Sequence, residues 1–436
     1  MTKTSTAILT LTLAWVGFAS QKTHGEDWPR FRGPLGNGFV KKIEHPLKWS
    51  ADSNIAWKAP MAGGGLSSPV VAGDKIFITT AIGADLPKSF GQGVANMRPM
   101  LPPGPLEFQV ACLDLKSGKK IWTKTLAKER PKHPIHSSNS FATESPAIVG
   151  NKLFVYFAAI GMVYGLDLEG NELWKKDIGS YPTGNGFGPG SSIVADDQTV
   201  FVQCDNDKSS FLVALDNSNG SEKWKKNRTG RTSWATPLLW KNEIRKELIV
   251  CGSGVVTSYD PATGKVIWSL SGISSSFSAS PASDSERIYF GNSGPRSSGP
   301  LVAVSAGMSG KHSLEDGDVA NVAWSKQRSG PGMSSPIVAN GYLYVPGRGM
   351  ISCYESKSGK LIYKERLPLK SSAASMWGGD GVVFLMDETG KSIAIKTGES
   401  FEIVATNQID DLFWSTPSLA GKSLLLRGSS TIYCIR

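Results

Sequence analysis

The sequence predicts an all-β fold, an eight-bladed β-propeller of four-stranded antiparallel blades that is closed by an N-terminal strand. Two phrases that recur along the chain carry this prediction. The first is an Asp, a short turn, a Gly and, four residues later, a Trp, at residues 114–122, 216–224 and 260–268. The second is Ser or Thr followed by Pro and a short apolar run, as at residues 67–71 and 334–338. Turn chemistry at constant offsets, repeated with a period of about 45 residues, is typical of repeat folds.

The first phrase predicts a β-hairpin and a packing position. The Asp side chain accepts hydrogen bonds from backbone N–H groups two or three residues ahead, and the Gly supplies the positive φ of a tight turn. The flanking runs, such as residues 211–215, are short and rich in apolar residues, and therefore strand-like. The Trp is a large apolar body that can pack between neighbouring sheets. We predict that six such residues dock one blade onto the next: Trp57, Trp122, Trp174, Trp224, Trp268 and Trp324.

The second phrase predicts where each blade begins, because Pro is tolerated at the first residue of a strand. Each unit then offers four strands, which is the blade of a propeller. The eighth blade starts at Trp414 and lacks a fourth strand. We expect residues 54–57 to supply it, because closing the ring removes open sheet edges. The other predicted blades span residues 67–122, 143–174, 189–224, 233–268, 277–324, 333–363 and 373–404.

The N-terminal residues have the pattern of a secretory signal peptide. A Lys precedes an apolar run, residues 7–19, that is too short to span a bilayer comfortably. We therefore expect residues 1–25 to be a signal peptide and residues 26–436 to form a single propeller domain, with an insertion at residues 83–107 in blade 1. The protein is then expected to be periplasmic or secreted, without a lipid anchor and without a transmembrane span in the mature chain.

The composition bears on which partners the protein binds and on whether it forms disulfides or attaches haem. The net charge is +10, but most lysines fall in the hairpin turns, so we do not expect nucleic acid to be a partner. The five cysteines fall in different predicted blades, which favours free thiols over disulfides. The sequence has no C-x-x-C-H haem motif and no adjacent cysteine pair. We expect a monomer that binds an unidentified protein, polymer or small ligand.

Several segments resemble a known family. The Asp–Gly–Trp phrase is similar to the tryptophan-docking motif of the pyrroloquinoline quinone (PQQ) repeat superfamily, which includes quinoprotein alcohol dehydrogenases. Residues 27–34, 139–143, 184–188, 232–237 and 404–411 resemble the PQQ-binding-like propeller proteins of planctomycete-type bacteria. The propeller lipoprotein of the outer-membrane β-barrel assembly machinery is a more distant resemblance. The resemblance implies the propeller fold and leaves cofactor binding open.

For the dehydrogenases of that superfamily, the resemblance would imply PQQ above a calcium ion held by Glu, Asn and Asp. No such set can be matched residue by residue here, and their disulfide of adjacent cysteines is missing. We therefore predict no catalytic residue, no metal ligand and no cofactor, with PQQ and calcium as the alternative. Two function classes stay open, a non-catalytic exported scaffold or binding protein and a divergent PQQ-dependent oxidoreductase. A third, a glycan-processing enzyme, would need paired carboxylates that the sequence does not reveal.

Candidate binding residues come from the loops that lead into the innermost strands, since these loops surround one mouth of a propeller channel. Two histidines in the loop before blade 2 could ligate a metal, and Glu144 is nearby in the sequence. The pair has, however, no third ligand directly beside it in the sequence. Two tryptophans occupy equivalent places in blades 4 and 8, so we expect their indoles to face each other across the channel entrance, where they bind a planar or sugar-like ligand or plug the channel. The predicted binding residues are Trp234, Trp414, Arg231, His133, His136, Asn139 and Asn185.

Overall fold

Eight antiparallel sheets form a ring, and the predicted eight-bladed propeller is thereby confirmed. The computed structural model of the chain describes residues 27–83, 99–273, 276–294 and 298–436. Within these ranges the helices are two short 3₁₀ turns, Gly184–Gly186 and Leu314–Asp316. No helix in the described ranges is long and apolar enough to cross a membrane. The predicted signal peptide and residues 84–98 of the predicted insertion lie outside them.

The strands follow the chain blade by blade, with the innermost strand of each blade the shortest. Two strands precede blade 1, β1 (Phe39–Val40) and β2 (Ile55–Pro60). Blades 1 to 4 consist of β3 (Val70–Ala72), β4 (Lys75–Ile82), β5 (Leu106–Asp114) and β6 (Lys120–Glu129); β7 (Ala147–Val149), β8 (Lys152–Phe157), β9 (Met162–Asp167) and β10 (Glu172–Asp177); β11 (Val194–Ala195), β12 (Thr199–Cys204), β13 (Phe211–Asp216) and β14 (Glu222–Asn227); and β15 (Leu238–Lys241), β16 (Lys246–Gly252), β17 (Val255–Tyr259) and β18 (Val266–Ser271).

The second half of the ring repeats the arrangement, with one extra strand inside the fifth repeat. Blade 5 consists of β19 (Ala282–Ser283), β20 (Arg287–Ser293), β21 (Ser298–Ser305) and β23 (Val322–Lys326), while the intervening β22 (Gly310–Ser313) joins blade 4. Blades 6 to 8 consist of β24 (Ile337–Ala339), β25 (Tyr342–Gly347), β26 (Met350–Glu355) and β27 (Leu361–Arg366); β28 (Trp377–Gly379), β29 (Val382–Met386), β30 (Lys391–Lys396) and β31 (Ile403–Gln408); and β32 (Ser418–Ala420), β33 (Ser423–Arg427) and β34 (Thr431–Ile435).

The N-terminal strand β2 closes the ring, as predicted. It pairs antiparallel with β34, so that Ile55 lies opposite Ile435 and Pro60 opposite Thr431. The strand therefore extends beyond the predicted residues 54–57. Blade 8 is assembled from both parts of the chain, which gives its sheet the same four strands as the other blades and pairs the edge of β34.

Most junctions between blades share one contact on the outer side of the ring. The indole of the docking Trp donates a hydrogen bond to the first carbonyl of the next blade's turn, as from Trp57 to Leu115 O at 3.0 Å. The ring covers the Gly of that turn, and a Cβ on Gly118 would lie 2.4 Å from the Trp57 ring. This contact explains why the phrase needs both Trp and Gly. The equivalent donations run from Trp122 to Leu168, Trp174 to Asn217, Trp224 to Pro261 and Trp324 to Ser356.

Trp268 differs from the other docking residues. The turn that it would cover in blade 5 is replaced by a longer connection, whose strand β22 pairs parallel with β18 and places Gly310 opposite Trp268. The indole is fully buried and donates to the carboxylate of Glu247 in its own blade at 2.7 Å. Its ring also stacks on Phe290 of blade 5 at 6.4 Å. Trp268 therefore lies between blades 4 and 5 with a different hydrogen-bond partner.

A belt of hydroxyl groups joins the blades on the inner side of the ring, at the second phrase of the repeat. In each link the backbone N–H of one Ser or Thr donates to the side-chain hydroxyl of the equivalent residue in the next blade, at 2.8–3.3 Å. The sequence phrase thus predicts the strand start but not this bond, which needs two blades side by side. The linked residues are Ser68, Ser145, Ser192, Thr236, Ser280, Ser335, Ser375 and Thr416.

The junction between blades 8 and 1 uses an arginine in addition. Arg427 of β33 is 4% exposed, and its guanidinium donates to the carbonyl and hydroxyl oxygens of Ser67 at 3.0 and 2.6 Å. Ser418 Oγ donates to Pro69 O at 2.6 Å. These bonds join residues that are about 350 positions apart in the sequence. They reinforce the seam at which the two ends of the repeat array meet.

Residues 27–50, which the sequence analysis left without an element, run along the innermost strands of several blades and end beside the outermost strand of blade 7, where Trp49 N donates to Asn407 Oδ1 at 2.9 Å. Trp28 pairs with Val71 of blade 1 through two backbone bonds of 3.1 and 2.8 Å. Pro29 O accepts from Ile148 N of blade 2 at 2.7 Å. Further along, β1 pairs parallel with β28 of blade 7, with Phe39 opposite Gly378. We refer to residues 27–50 as the inner segment.

Arg32 anchors the inner segment inside the ring. Its side chain is fully buried, and it donates to Pro281 O of blade 5 and Asn37 O, both at 2.8 Å, and also to Pro336 O before blade 6. A buried guanidinium is tolerated only where such acceptors satisfy its N–H groups. Leu35 and Gly36 of the same segment lie against Leu238 of blade 4. The inner segment thus fills the channel from blade to blade.

We expect Trp224→Ala to lower the free energy of unfolding by roughly 3–5 kcal/mol, because it empties the space over Gly264 and orphans the Pro261 carbonyl. Urea unfolding followed by fluorescence measures the change. Leu173→Ala is the matched control, since Leu173 is 47% exposed on an outermost strand, and it should cost less than about 1 kcal/mol. Similar losses in both variants would contradict the docking role.

Candidate functional site

The two faces of the propeller differ because the inner segment lies against one of them. The turns between the first and second strands of the blades carry its contacts: Gly73 N donates to Asp27 Oδ1 at 2.8 Å, and Asp380 N donates to Lys41 O at 3.3 Å. Antiparallel strands alternate in direction, so the loops that connect successive blades lie on the opposite face. We call this opposite side the loop face. It carries all the predicted binding residues.

The loops before blades 2, 3 and 4 form one connected surface on the loop face. Asn139 Nδ2 donates to the carbonyls of Phe187 and Pro189, both at 2.8 Å. The Trp234 indole donates to Gly188 O at 2.7 Å, and its ring meets Phe187 edge to face at 5.9 Å. His136 packs on the other side of Phe187 at 5.1 Å. The structure therefore brings three predicted residues, from the loops before blades 2 and 4, around Phe187 of the loop before blade 3.

His133 and His136, the two histidines considered as metal ligands, have separate partners. His136 Nδ1 lies 2.7 Å from Ser138 Oγ, and His133 Nε2 lies 3.2 Å from Ser180 O. Nowhere in the described ranges do three or more His, Cys, Asp or Glu side chains form a group that could hold a metal ion. The histidines serve to position their loop.

The other predicted residues lie around this surface. Asn185 is exposed at the tip of the loop before blade 3, where it adopts a positive φ of 53°. Arg231 is exposed in the loop before blade 4. The end of the blade 1 insertion reaches the same place, because Met100 pairs with Ile135 through two backbone bonds. Blade 1 thus contributes one margin of the surface.

Trp414 is placed with different neighbours from Trp234. It is half-buried beside the loop of blade 7 that holds Glu388. Burial raises the pKa of Glu388, and the side chains of Ser371 and Trp414 oppose that rise. No ring contact among the described aromatic side chains joins Trp414 to Trp234, so their facing arrangement stays a prediction.

A pocket that the sequence analysis missed lies beneath the connected loops, between blades 2, 3 and 4. It is lined by Tyr156 of β8, Gln203 of β12, Ser191, Ser233 and part of the loop at residues 181–190. Gln203 is 2% exposed, and its amide N–H groups donate to Asp205 Oδ2 at 2.8 Å and Cys251 O at 3.2 Å. Its Oε1 and the hydroxyl of Ser191 have no hydrogen-bond partner among the described residues.

A buried ion pair fixes one wall of this pocket. The Arg228 guanidinium donates to both carboxylate oxygens of Asp205 at 2.8 and 3.2 Å and to the Tyr259 hydroxyl at 2.9 Å. Although burial lowers the pKa of Arg228, the charge of Asp205 and the hydrogen bonds with Asp205 and Tyr259 outweigh it and raise that pKa. The charges of Arg228 and Asp205 are therefore paired with each other.

Glu144 is the exception among eight equivalent positions. The residue immediately before each belt hydroxyl is Ser or Ala in seven blades and Glu in blade 2: Ser67, Glu144, Ser191, Ala235, Ala279, Ser334, Ala374 and Ser415. Glu144 is 2% exposed, and its Oε1 has no partner among the described residues. Burial raises the pKa of Glu144 to about 8, against the opposing backbone N–H groups of Glu144, Ala158 and Thr143. Aligning the eight copies of the second phrase would have revealed this residue.

The described residues do not fit a calcium-bound quinone. Calcium takes six to eight oxygen ligands, usually with several carboxylates. Here Glu144 is isolated, the Asp205 carboxylate is occupied by Arg228, and all five cysteines are free thiols. No step through such a cofactor is therefore derived from this site.

We expect the pH dependence of stability to report on Glu144. Its carboxyl binds a proton more tightly in the folded chain, with a pKa of about 8, than in the unfolded chain, at 4.5. Stability from this group is complete below about pH 4.5 and is lost as pH rises to 8. Unfolding free energies should therefore fall by about 3–5 kcal/mol more in the parent than in Glu144→Gln across that interval. Glu222→Gln, an exposed control, should follow the parent, and parallel curves for all three proteins would contradict the buried, protonated carboxyl.

The structure is similar to solved structures of different origins. Quinohemoprotein alcohol dehydrogenase from Comamonas testosteroni superposes with a TM-score of 0.52 and 14% identity, over 94% of this chain and 80% of the enzyme. The computationally designed Ika8 protein gives 0.56 and 10% over 88% and 99%, and Saccharomyces cerevisiae Sqt1 gives 0.51 and 12% over 78% and 94%. At such low identity these similarities concern the fold alone. No curated protein sequence matches the chain.

The sequence also matches a protein-family model. That model is described as outer membrane protein assembly factor BamB, and it matches three overlapping stretches, residues 105–226, 159–315 and 252–401. Together these stretches span well over half of the 436 residues. The match and the eight-bladed ring show that the chain belongs to the PQQ-like β-propeller family.

Proposed function

We propose that the protein is an exported, non-catalytic propeller that binds its partner or ligand through the loop face of blades 2 to 4. The observation that carries this proposal is the connected surface around Phe187, where Asn139 and Trp234 join three loops into one body. Loops held in this way on a rigid scaffold are the usual place for binding residues. The inner segment fills the channel from the other face, which directs binding to this one.

Family membership supports a binding role but does not identify the partner. The matching model is described as an outer-membrane assembly factor, whereas a similar solved structure is an alcohol dehydrogenase. One propeller fold carries both kinds of protein, so the function depends on the loop residues of this chain. Its export follows from the signal-peptide pattern at residues 1–25. The partner is a protein, a polymer or a small ligand of the periplasm or the exterior.

Site-specific photocrosslinking tests the binding face. We expect a benzophenone amino acid at exposed Arg231, on the loop face, to form a specific adduct in cells that export the protein. Lys422 is the matched control, because it is exposed in the turn between β32 and β33 on the other face. Adducts only from position 422, or equal adducts from both positions, would overturn the proposed face.

The alternative is a divergent PQQ-dependent oxidoreductase, which the similarity to a quinohemoprotein dehydrogenase favours. The site residues argue against it, because Glu144 is not accompanied by further carboxylates. We expect no quinone absorbance to co-elute with the purified protein after incubation with PQQ and calcium. Stoichiometric co-elution that Glu144→Gln abolishes would replace the binding proposal by the oxidoreductase.

A further inference from the structure

The pocket beneath the loop face contains buried oxygen atoms without hydrogen-bond partners among the described residues. Three oxygen atoms there or directly beside it have no hydrogen-bond partner among the described residues: Glu144 Oε1, Ser191 Oγ and Gln203 Oε1. Their residues are 2%, 6% and 2% exposed. Leaving buried polar atoms unpaired costs free energy, about 1–3 kcal/mol for each, so three together indicate a place that a ligand completes.

The three groups are neighbours in the ring. Glu144 and Ser191 hold equivalent positions in blades 2 and 3, and the belt bond from Ser145 N to Ser192 Oγ, 3.0 Å, joins the residues that follow them. Ser191 and Gln203 line the same pocket. Ala158 lines it as well, and its backbone N–H donates to the Glu144 carboxyl. The carboxyl therefore lies next to the pocket that the other two acceptors line.

The donors of three side chains in or beside the pocket are already used. The Gln203 amide donates to Asp205 and Cys251, the Arg228 guanidinium donates to Asp205 and Tyr259, and Ser233 Oγ donates to Cys251 O at 2.9 Å. Gln203 Oε1 and, once the carboxyl is ionised, Glu144 Oε1 can only accept, so a ligand that completes both must bring donors. An ammonium group carries three N–H donors and no acceptor, and its charge matches a buried carboxylate.

We propose that Glu144, Ser191 and Gln203 receive a primary ammonium group, so that the ligand of the loop face is an amine. This inference rests on the proposed binding function and specifies its ligand class. A free amine, an amino sugar and a lysine side chain share this chemistry. Binding ionises Glu144, whose proton leaves to solvent while the ammonium keeps its own three protons.

Glu144 is the group that titrates on binding, given its surroundings. The pKa of Cys204 is raised by burial to about 12, and burial also raises the pKa of Tyr156 far above its usual value. The Arg228 guanidinium is paired with Asp205. At neutral pH the Cys204 thiol and the Tyr156 hydroxyl keep their protons, so a released proton reports the carboxyl.

Calorimetry at pH 7 in phosphate and in HEPES, two buffers without a primary amine and with different heats of ionisation, tests the proposal. The probes are n-butylammonium, D-glucosamine and Nα-acetyl-lysine amide, which separate the three sources, with n-butanol and glucose as neutral counterparts. We expect at least one ammonium probe to bind with release of about one proton, and its affinity to rise from pH 6 to pH 8. Glu144→Gln should weaken it about 10- to 100-fold, and Glu222→Gln should leave it unchanged.

Two further measurements keep the test independent of folding defects in the Glu144 variant. In the parent protein, the infrared C=O band of a protonated carboxyl should disappear when the ammonium probe saturates the site. Ser191→Ala, a change to the residue type of other blades, should fold normally and weaken binding several-fold. Tight binding of the neutral counterparts, the absence of proton release, or no binding by any ammonium probe would overturn the amine assignment. If crosslinks at position 231 persist in that case, the binding face still holds and only the ligand class fails.

Discussion

The ring depends on one repeated contact, the indole of one blade resting on the turn Gly of the next and donating to that turn's first carbonyl. Each four-stranded sheet buries only part of its apolar surface alone, so neighbours must cover the rest. The indole supplies apolar contact area, and its single N–H donor also fixes the orientation of the ring. On the inner side, the hydroxyl belt also joins each blade to the next. It uses backbone N–H groups that the short innermost strands leave unpaired. Outer and inner contacts together set the angle between blades.

Two junctions between blades differ from the others in their contacts. At the junction of blades 4 and 5, the inserted strand β22 takes the place of the turn, and Trp268 finds Glu247 instead. At the seam of blades 8 and 1, the buried Arg427 supplements the belt. The inner segment then fills the channel through Arg32, which satisfies carbonyls before blades 5 and 6. A closed ring with one filled face leaves the loop face for recognition.

The loop face differs from the rest of the ring in the kind of group it leaves unpaired. Elsewhere the belt positions are followed by apolar strands and preceded by Ser or Ala, which carry no ionisable group. At blade 2 the same position holds Glu144, whose burial is unfavourable unless a ligand compensates it. The neighbouring Arg228 does not supply that compensation, since Asp205 occupies it. Unsatisfied acceptors in a well-packed scaffold are thus the strongest sign of function in this molecule.

Sequence by itself determined the number of blades, the docking tryptophans of five junctions and the closure by an N-terminal strand, because hairpin turns and strand starts depend on contiguous residues. It also indicated the loops around Asn139 and Trp234. Only the tertiary structure decided the path of the inner segment, the hydroxyl belt and the meeting of Glu144 with Ser191 and Gln203. The Arg32 contacts span 249 and 304 residues, and a partner at that separation is set by ring closure. Local patterns specify each blade, whereas the site exists only where blades are held side by side.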